Sequence, residues 1–154
     1  MKPVFDTISE HLKTEVPAIK KHERWNNQLA EEARENVRVF PCSFLELQGV
    51  KTTTVSKGIQ HCEGILRIRH CTKSLRTAEV DAYDLEAATY LALQNFTGGP
   101  LLVGLERSAI YPDPNHDAVE MVISEYRIKY ADRTRYDQLF SPHSAQVETK
   151  TATQ

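Results

Sequence analysis

Two strand-like segments separated by only six residues constrain the fold of this chain most strongly. Residues 101–111 (LLVGLERSAIY) and 118–130 (AVEMVISEYRIKY) are rich in β-branched and aromatic side chains, and the link between them is PDPNHD. Proline, aspartate and asparagine in such a link predict a turn. Parallel strands need a crossover of about a dozen residues or more, so these two strands are expected to pair as an antiparallel hairpin.

Four further segments of the sequence have strand character. Residues 38–48 and 61–71 are the strongest, and residues 50–58 continue the first of them as a polar stretch. Pro41 must lie at a strand start, an edge or a bulge, because proline donates no hydrogen bond to a sheet. Residues 18–25 carry charges on both faces, which is typical of an edge strand.

Two segments have the periodicity of helices. Apolar residues recur every three to four positions in residues 3–15 and 82–96, which predicts one apolar stripe on each helix. Pro17 ends the first helix, and the Gly-Gly-Pro sequence at residues 98–100 ends the second. Helices that are separate from a mostly antiparallel β-sheet predict a single two-layer α+β domain, with the two main helices packed on one face.

Residues 1–132 are predicted to form this domain, and residues 133–154 a C-terminal arm. The total of 154 residues suits one domain, and a hydrophobic fraction of 40% is enough for a core of its own. The arm lacks apolar periodicity and ends in threonine, alanine and glutamine. We therefore expect the arm to be flexible, or to become ordered only on a partner.

Composition excludes several classes of protein. The 19 basic and 21 acidic residues give a net charge of −2, which argues against a strongly cationic nucleic-acid binder. The longest apolar run, residues 100–104, is far shorter than the ~20 residues of a membrane helix, and the N-terminus lacks the apolar stretch of a secretory signal. Three cysteines with no close pair in the sequence favour reduced thiols in a cytosolic setting.

The near-neutral net charge conceals a division along the chain. Residues 37–80 hold seven basic and three acidic residues, whereas residues 81–130 hold three basic and eight acidic ones. This division is compatible with ordinary solvated sheet faces. It also predicts head-to-tail association, in which the basic side of one subunit meets the acidic side of the next and the contacts close into a ring.

Charged residues from both blocks are the candidate interface of such an assembly. Arg67 and Arg69 share one face of the strand 61–71, opposite Leu66 and Ile68, where they could also contact phosphate or face solvent. The candidate set takes four residues from the basic block and two from the acidic block: Arg67, Arg69, Lys73, Arg76, Glu120 and Glu125.

Histidine adjoins cysteine twice, at His61-Cys62 and His70-Cys71, and both residue types are zinc ligands. If residues 61–71 form one strand, Cys62 and His70 lie about 26 Å apart at ~3.3 Å per residue, which is too far for one tetrahedral site. Neighbouring strand residues also point to opposite faces, so His70 is poorly placed to activate Cys71 as a nucleophile.

An acidic turn follows the first strand of the hairpin. It matches the opening of a calcium-binding loop, but the glycine and the final glutamate of such a loop are missing. A small hydrolase or nuclease could still draw acid–base groups from this region: Asp113, His116, Asp117 and Glu120. Because no nucleophile elbow or phosphate-binding loop accompanies them, we expect no catalytic, cofactor-binding or metal-binding residue.

Four stretches of the sequence together carry a resemblance to a known family. They are the segment Trp25–Leu29 after the first helix, the strand Val39–Glu46, the strand Ile65–Arg69 after Gly58-Ile59-Gln60, and Leu105-Glu106-Arg107 with the following Asp113–Asp117 and Tyr126–Tyr130. In this combination the chain resembles the tail terminator, or tail-completion, proteins of long-tailed bacteriophages. The resemblance covers about residues 3–132.

The resemblance implies a structural virion protein without enzymatic activity or a cofactor. Such a protein forms a hexameric ring in the tail or neck, assembled in the host cytoplasm, which caps the tail tube and stops its polymerisation. The implied partners are copies of itself, the tail tube protein below, and a neck, head-completion or connector protein above. DNA passes through the lumen without sequence-specific binding, and no membrane is involved. The main alternative is another head–tail joining protein, such as a head-completion stopper or an adaptor ring.

Overall fold

The elements follow one another in the order that the sequence predicts, with one short helix in addition. The computed structural model describes residues 1–27, 39–73, 80–114 and 119–140. Within these ranges the chain forms α1 (Lys2–Glu15), β1 (Lys21–Arg24), β2 (Cys42–Ser56), β3 (Ile59–Lys73), α2 (Ala82–Leu93), β4 (Glu106–Pro112), β5 (Val119–Asp132) and α3 (Thr134–Phe140). None of these helices is long and apolar enough to span a membrane.

The strands form one sheet in the order β1-β2-β3-β5-β4. All neighbouring strands are antiparallel except β1 and β2, which run parallel. The mostly antiparallel α+β fold is therefore confirmed, and so is the β4–β5 hairpin. The strand predicted over residues 101–111 begins only at Glu106, because the backbone of Leu105 instead bonds to Asn95 and Phe96 just after α2.

The two segments predicted at residues 38–48 and 50–58 form one long strand, β2. A register shift between Gln48 and Lys51 accommodates Gly49, whose φ of 58° suits glycine. Pro41 directly precedes the strand and therefore occupies a strand start, as predicted. The predicted edge strand at residues 18–25 is confirmed as β1, although its parallel direction could not be read from the sequence.

Apolar residues are buried on both faces of the sheet. On one face, the inner sides of α1 and α2 cover the middle of β3 and β5, with a core that includes Ile8, Leu12, Leu66, Leu85 and Tyr126. A second cluster lies on the opposite face and contains Cys42, Phe44, Cys71, Met121 and Ile123, with Trp25, Phe40 and Tyr111 packed against it. Because one face carries the helices, it is called here the helix face, and the other the open face.

Helix α3 lies within the segment predicted as a C-terminal arm. Its first residue is capped by Asp132, whose Oδ1 accepts from the Thr134 backbone N–H at 2.9 Å and from its hydroxyl at 2.6 Å. The backbone N–H of Tyr136 then donates to the carbonyl oxygen of Gly58 at 3.0 Å. Residues 134–140 therefore differ from the expected arm, because they order on the same chain. Residues 141–154 lie outside the described residues.

The Gly58 contact can be tested against a matched glycine. Gly58 has a φ of 80°, and a Cβ there would lie 2.7 Å from the Tyr136 backbone nitrogen, whereas a Cβ on Gly49 would meet nothing within 4 Å. Both substitutions to alanine carry the cost of a left-handed backbone, but only Gly58→Ala also displaces α3. We expect Gly58→Ala to lower the free energy of unfolding by about 1 kcal/mol more than Gly49→Ala, as measured by urea denaturation. Equal losses would contradict the docking of α3.

Candidate functional site

The structure brings together three of the six candidate interface residues. Arg67, Arg69 and Glu125 lie on the open face, because Arg67 is directly opposite Glu125 in the β3–β5 register. Lys73 is exposed at the last position of β3, opposite Val119. Glu120 lies on the helix face, and Arg76 is outside the described residues.

Glu125 is the acceptor of a compact polar group on the open face. Its Oε1 accepts from Arg67 Nη2 at 2.6 Å, from Arg67 Nε at 2.9 Å and from the hydroxyl of Tyr111 at 2.8 Å. Burial opposes ionisation, but the hydrogen bonds from Arg67 and Tyr111 outweigh it and lower the pKa of Glu125. Burial and the bond to Glu125 raise the pKa of Tyr111. The three strands β3, β4 and β5 are thus linked by an ionised carboxylate.

Arg69 also makes its contacts within the chain. Its Nη1 donates to Glu46 Oε2 at 2.7 Å, and its guanidinium carbon lies 4.1 Å from the ring centroid of Trp25. Trp25 in turn meets Phe44 edge to face, with ring centroids 5.6 Å apart. Only 7% of Arg69 is exposed. This part of the open face is therefore not a solvated surface, and Arg69 is held by contacts of the fold.

The two charge blocks of the sequence meet inside the domain. Because β3 and β5 are neighbours, Arg67 pairs with Glu125, and Glu63 pairs with Lys129 at 2.7 Å. The Arg67–Glu125 pair neutralises part of the predicted asymmetry before any partner is involved, whereas Glu63 and Lys129 each carry the minority charge of their own block. Exposed charges remain at opposite ends of β3: Asp84 in the first turn of α2, and Lys57 beside the β2–β3 turn.

A row of polar residues on the helix face was not predicted. His22, Ser43 and His70 are consecutive in the register across β1, β2 and β3. His22 Nδ1 lies 2.6 Å from the Ser43 hydroxyl, and His70 Nε2 lies 3.1 Å from that of Ser124. Alternation along β3 could have revealed the burial of His70, because it shares a face with Ile68. The partners across the sheet depend on the register, which the sequence does not show.

Burial keeps both histidines neutral. It lowers the pKa of His70 to about 3 and that of His22 to about 4, with smaller effects from His22 on the first and from Lys13 on the second. His22 Nε2 and His70 Nδ1 have no hydrogen-bond partner among the described residues. No group of three or more metal-ligating side chains occurs in the described ranges, so these imidazoles form no metal site there.

Of the four candidates for catalysis, the structure describes Glu120 and Asp113. Glu120 Oε2 accepts from the Thr72 hydroxyl at 3.2 Å and from the Ala82 backbone N–H at 3.3 Å, which ties it to the start of α2. The backbone N–H of Asp113 donates to the carbonyl of Met121, and His116 and Asp117 lie outside the described residues.

Cys71 lies directly opposite Cys42, a pairing across the sheet that spacing in the sequence does not reveal. Both thiols are buried and free. The hydrogen bond to Cys42 and burial raise the pKa of Cys71, so its thiol stays protonated and is a poor nucleophile. His70 lies on the other face of the sheet, as the alternation predicted.

Comparison with known proteins adds no further information about the site. The sequence matches none of the protein-family models against which it was scanned, and no curated protein matches it.

Proposed function

We propose that this chain is a structural virion protein, a subunit of the ring that caps the tail tube of a long-tailed bacteriophage. The ring stops tube polymerisation, joins the tail to the neck and lets DNA pass through its lumen. The proposal is motivated by the sequence resemblance over about residues 3–132, which corresponds to the α+β fold from α1 to the end of β5.

The observation that carries the proposal is the open edge of β2. The edge strand β1 pairs only with Cys42–Leu45, whereas β2 continues to Ser56. Among the described residues, no strand adjoins the outer edge of β2 from Glu46 to Ser56. An edge of this length can accept a strand from another chain, which gives main-chain hydrogen bonds without a deep pocket. A subunit that caps a tube needs such a surface for the last ring of the tube.

Polymerisation of a tail tube protein tests the proposal directly. The probe is the tail tube protein of the same phage, polymerised alone and in the presence of this chain, with tube lengths measured by electron microscopy. We expect short tubes that carry a ring at one end when the chain is present. Tubes of unrestricted length, with no ring at their ends, would contradict the proposed function.

A charge on the open edge should weaken capping. Val55 is 49% exposed on the outer half of β2, so Val55→Lys places a charge on the edge without disturbing the core. We expect a several-fold drop in the fraction of capped tubes, counted in the same micrographs. Val103→Lys is the control, because Val103 is 44% exposed in the loop between α2 and β4. Equal effects of both variants would exclude the β2 edge as the docking surface.

A further inference from the structure

Helix α2 carries large apolar side chains on both sides, although the described part of the chain covers only one of them. Its inner side is buried against the sheet through Leu85, Thr89 and Leu93. Its outer side carries Tyr83 and Leu91, which are 48% and 79% exposed. A surface helix normally has one apolar and one polar side, and a helix that is apolar all round is normally covered all round. The outer side of α2 therefore indicates a contact that the described residues do not supply.

Helix α1 provides the comparison within the same molecule. It buries Val4, Ile8 and Leu12, whereas its exposed positions are mainly charged or polar: Lys2, Asp6, Glu10, Lys13 and Glu15. The outer side of α1 is thus polar, as is normal for a helix that faces solvent. The exposed tyrosine and leucine of α2 are consequently a feature of that helix and not of the whole surface.

The apolar surface continues from α2 to the edge strand β4. Arg107 of β4 donates to Glu86 at 2.7 Å and lies over the ring of Tyr90 at 3.8 Å, which fixes β4 beside α2. Ile110 lies opposite Ser124 on the helix face of β4 and is 43% exposed. We define the α2 surface as Tyr83, Ala87, Leu91 and Ile110.

The exposed charge on helix α2 itself has one sign. Helix α2 contains no lysine or arginine, and Asp84 is exposed in its first turn. Asp81 caps the helix by accepting from the Asp84 backbone N–H at 2.8 Å. A partner for this surface must therefore offer apolar groups together with basic ones.

The α3 end of the molecule offers apolar side chains with three exposed basic residues, against one exposed acidic residue of α3, Asp137. Leu139 and Phe140 are 43% and 58% exposed at the end of α3. Lys57, Arg133 and Arg135 are exposed around the same helix, which is held at the β2–β3 turn. We define the α3 end as these five residues.

The α3 end cannot bring its charges to Asp84 of its own chain. The first turn of α2 contacts Glu120, which is opposite Thr72 near the end of β3. The α3 end instead contacts Gly58, just before β3 begins. The length of β3 therefore separates them, roughly 45 Å at ~3.3 Å per residue.

We propose that the α2 surface of one chain binds the α3 end of a second copy, in a head-to-tail contact. The proposal rests on the proposed function in one respect, because a ring requires one contact that repeats from subunit to subunit. A symmetric contact between two α2 surfaces would place the aspartates of both chains together, which disfavours it. Residues 141–154 contain a single valine as their only large apolar residue, so they offer little to cover the α2 surface.

Sedimentation velocity over a range of protein concentrations tests the contact. We expect the wild-type chain to self-associate, and Leu91→Glu and Phe140→Glu each to weaken association by about tenfold or more. Val103→Glu is the matched control, since it adds the same charge at an exposed apolar residue elsewhere. Thermal unfolding of each variant shows that the fold is retained. A wild-type chain that stays monomeric at hundreds of micromolar would overturn the proposal, as would an unchanged association of Leu91→Glu.

A charge exchange tests the direction of the contact. Asp84→Arg and Arg135→Asp should each weaken association, and the double variant should recover much of it, because the opposite charges are restored between chains. A double variant as weak as the single ones would contradict the pairing of these two ends. If deletion of residues 141–154 strengthened association, the chain's own terminus would be the occupant of the α2 surface, which would also overturn the proposal.

The association and the proposed function can fail separately. If Leu91→Glu abolishes self-association but the wild-type chain caps no tube, the contact stands and the tail-capping proposal falls. If the wild-type chain caps tubes and Leu91→Glu does so equally well, the capping proposal stands and the α2 contact falls.

Discussion

Replacement of Arg69 by alanine is expected to lower the free energy of unfolding by about 3 kcal/mol. The change removes the guanidinium that donates to Glu46 at 2.7 Å and lies over the Trp25 ring. It leaves the Glu46 carboxylate, three-quarters buried, without its cationic partner. Urea denaturation measures the loss, and we expect the melting temperature to fall by about 6–12 °C. Trp25 is the single tryptophan, so its fluorescence should report the lost contact in the folded state.

Arg127→Ala is the matched control for this prediction. Arg127 is also an arginine of the sheet that pairs with a glutamate, Glu106, at 3.4 Å, but its side chain is 69% exposed. An exposed pair of this kind contributes little, so we expect a change within about 0.5 kcal/mol. Similar losses for both variants would show that the contacts of Arg69 do not stabilise the fold.

The Arg69 result also bears on the candidate interface. Arg67 and Arg69 are predicted interface residues, and reversal of their charge would be the obvious test of that prediction. Both side chains are now seen to pair with glutamates of the same sheet, so such variants would first destabilise the domain. Lys73, which is exposed at the end of β3, is the better position at which to test the predicted role of the basic block.

The parts of the fold that could be predicted are those with local signals. The short link before Val119 was enough to define the β4–β5 hairpin, because two strands so close in sequence have one way to pair. Alternation from Leu66 to Arg69 correctly assigned the two faces of β3. Apolar spacing likewise located α1 and α2, whose described bounds differ from the predicted ones by at most three residues.

The contacts of the candidate site depend on the register between distant strands. Arg67 meets Glu125 only because β5 inserts between β3 and β4, and His70 meets Ser43 only in one alignment of β2. A shift of one residue would move each of these side chains to the other face. Helix α3 was not predicted for a similar reason. Its short sequence is held by a hydrogen bond to Gly58, which is distant in the sequence.

Acidification below about pH 6.5 is expected to destabilise the protein steeply, well before its carboxylates titrate. In the unfolded chain the histidines bind protons near their ordinary pKa of 6.5, whereas burial lowers the pKa of His22 to about 4 and of His70 to about 3 in the folded chain. The unfolded state therefore binds more protons throughout this interval, and stability falls as pH falls. Well above pH 6.5 both states are neutral at these residues, so their contribution no longer changes.

The buried His70 should alone account for a loss of about 3 kcal/mol between neutral pH and about pH 4. Its surroundings are the hydroxyls of Ser43 and Ser124 and the imidazole of His22, none of which is a carboxylate that could stabilise an imidazolium. Lys13 adds a positive charge near His22, which acts in the same direction. The pKa values of Glu46 and Glu125 are lowered, so these residues lose their stabilising effect only as pH falls through about 4.5 and below. The loss of stability between pH 6.5 and 5 is therefore due to the histidines.

Urea denaturation at half-unit steps of pH separates the histidines from other groups. His70→Gln should reduce the slope of stability against pH between 6.5 and 5 by about half, and the double variant with His22→Gln should nearly abolish it. The slope is the readout because either substitution also changes stability at neutral pH. His61→Gln, at an exposed position of β3, is the control for replacing a histidine outside this row. A double variant that remains as acid-sensitive as the wild type would place the cause outside this histidine row, whereas a flattened slope would show that two uncharged imidazoles beneath the helices set the acid limit of the fold.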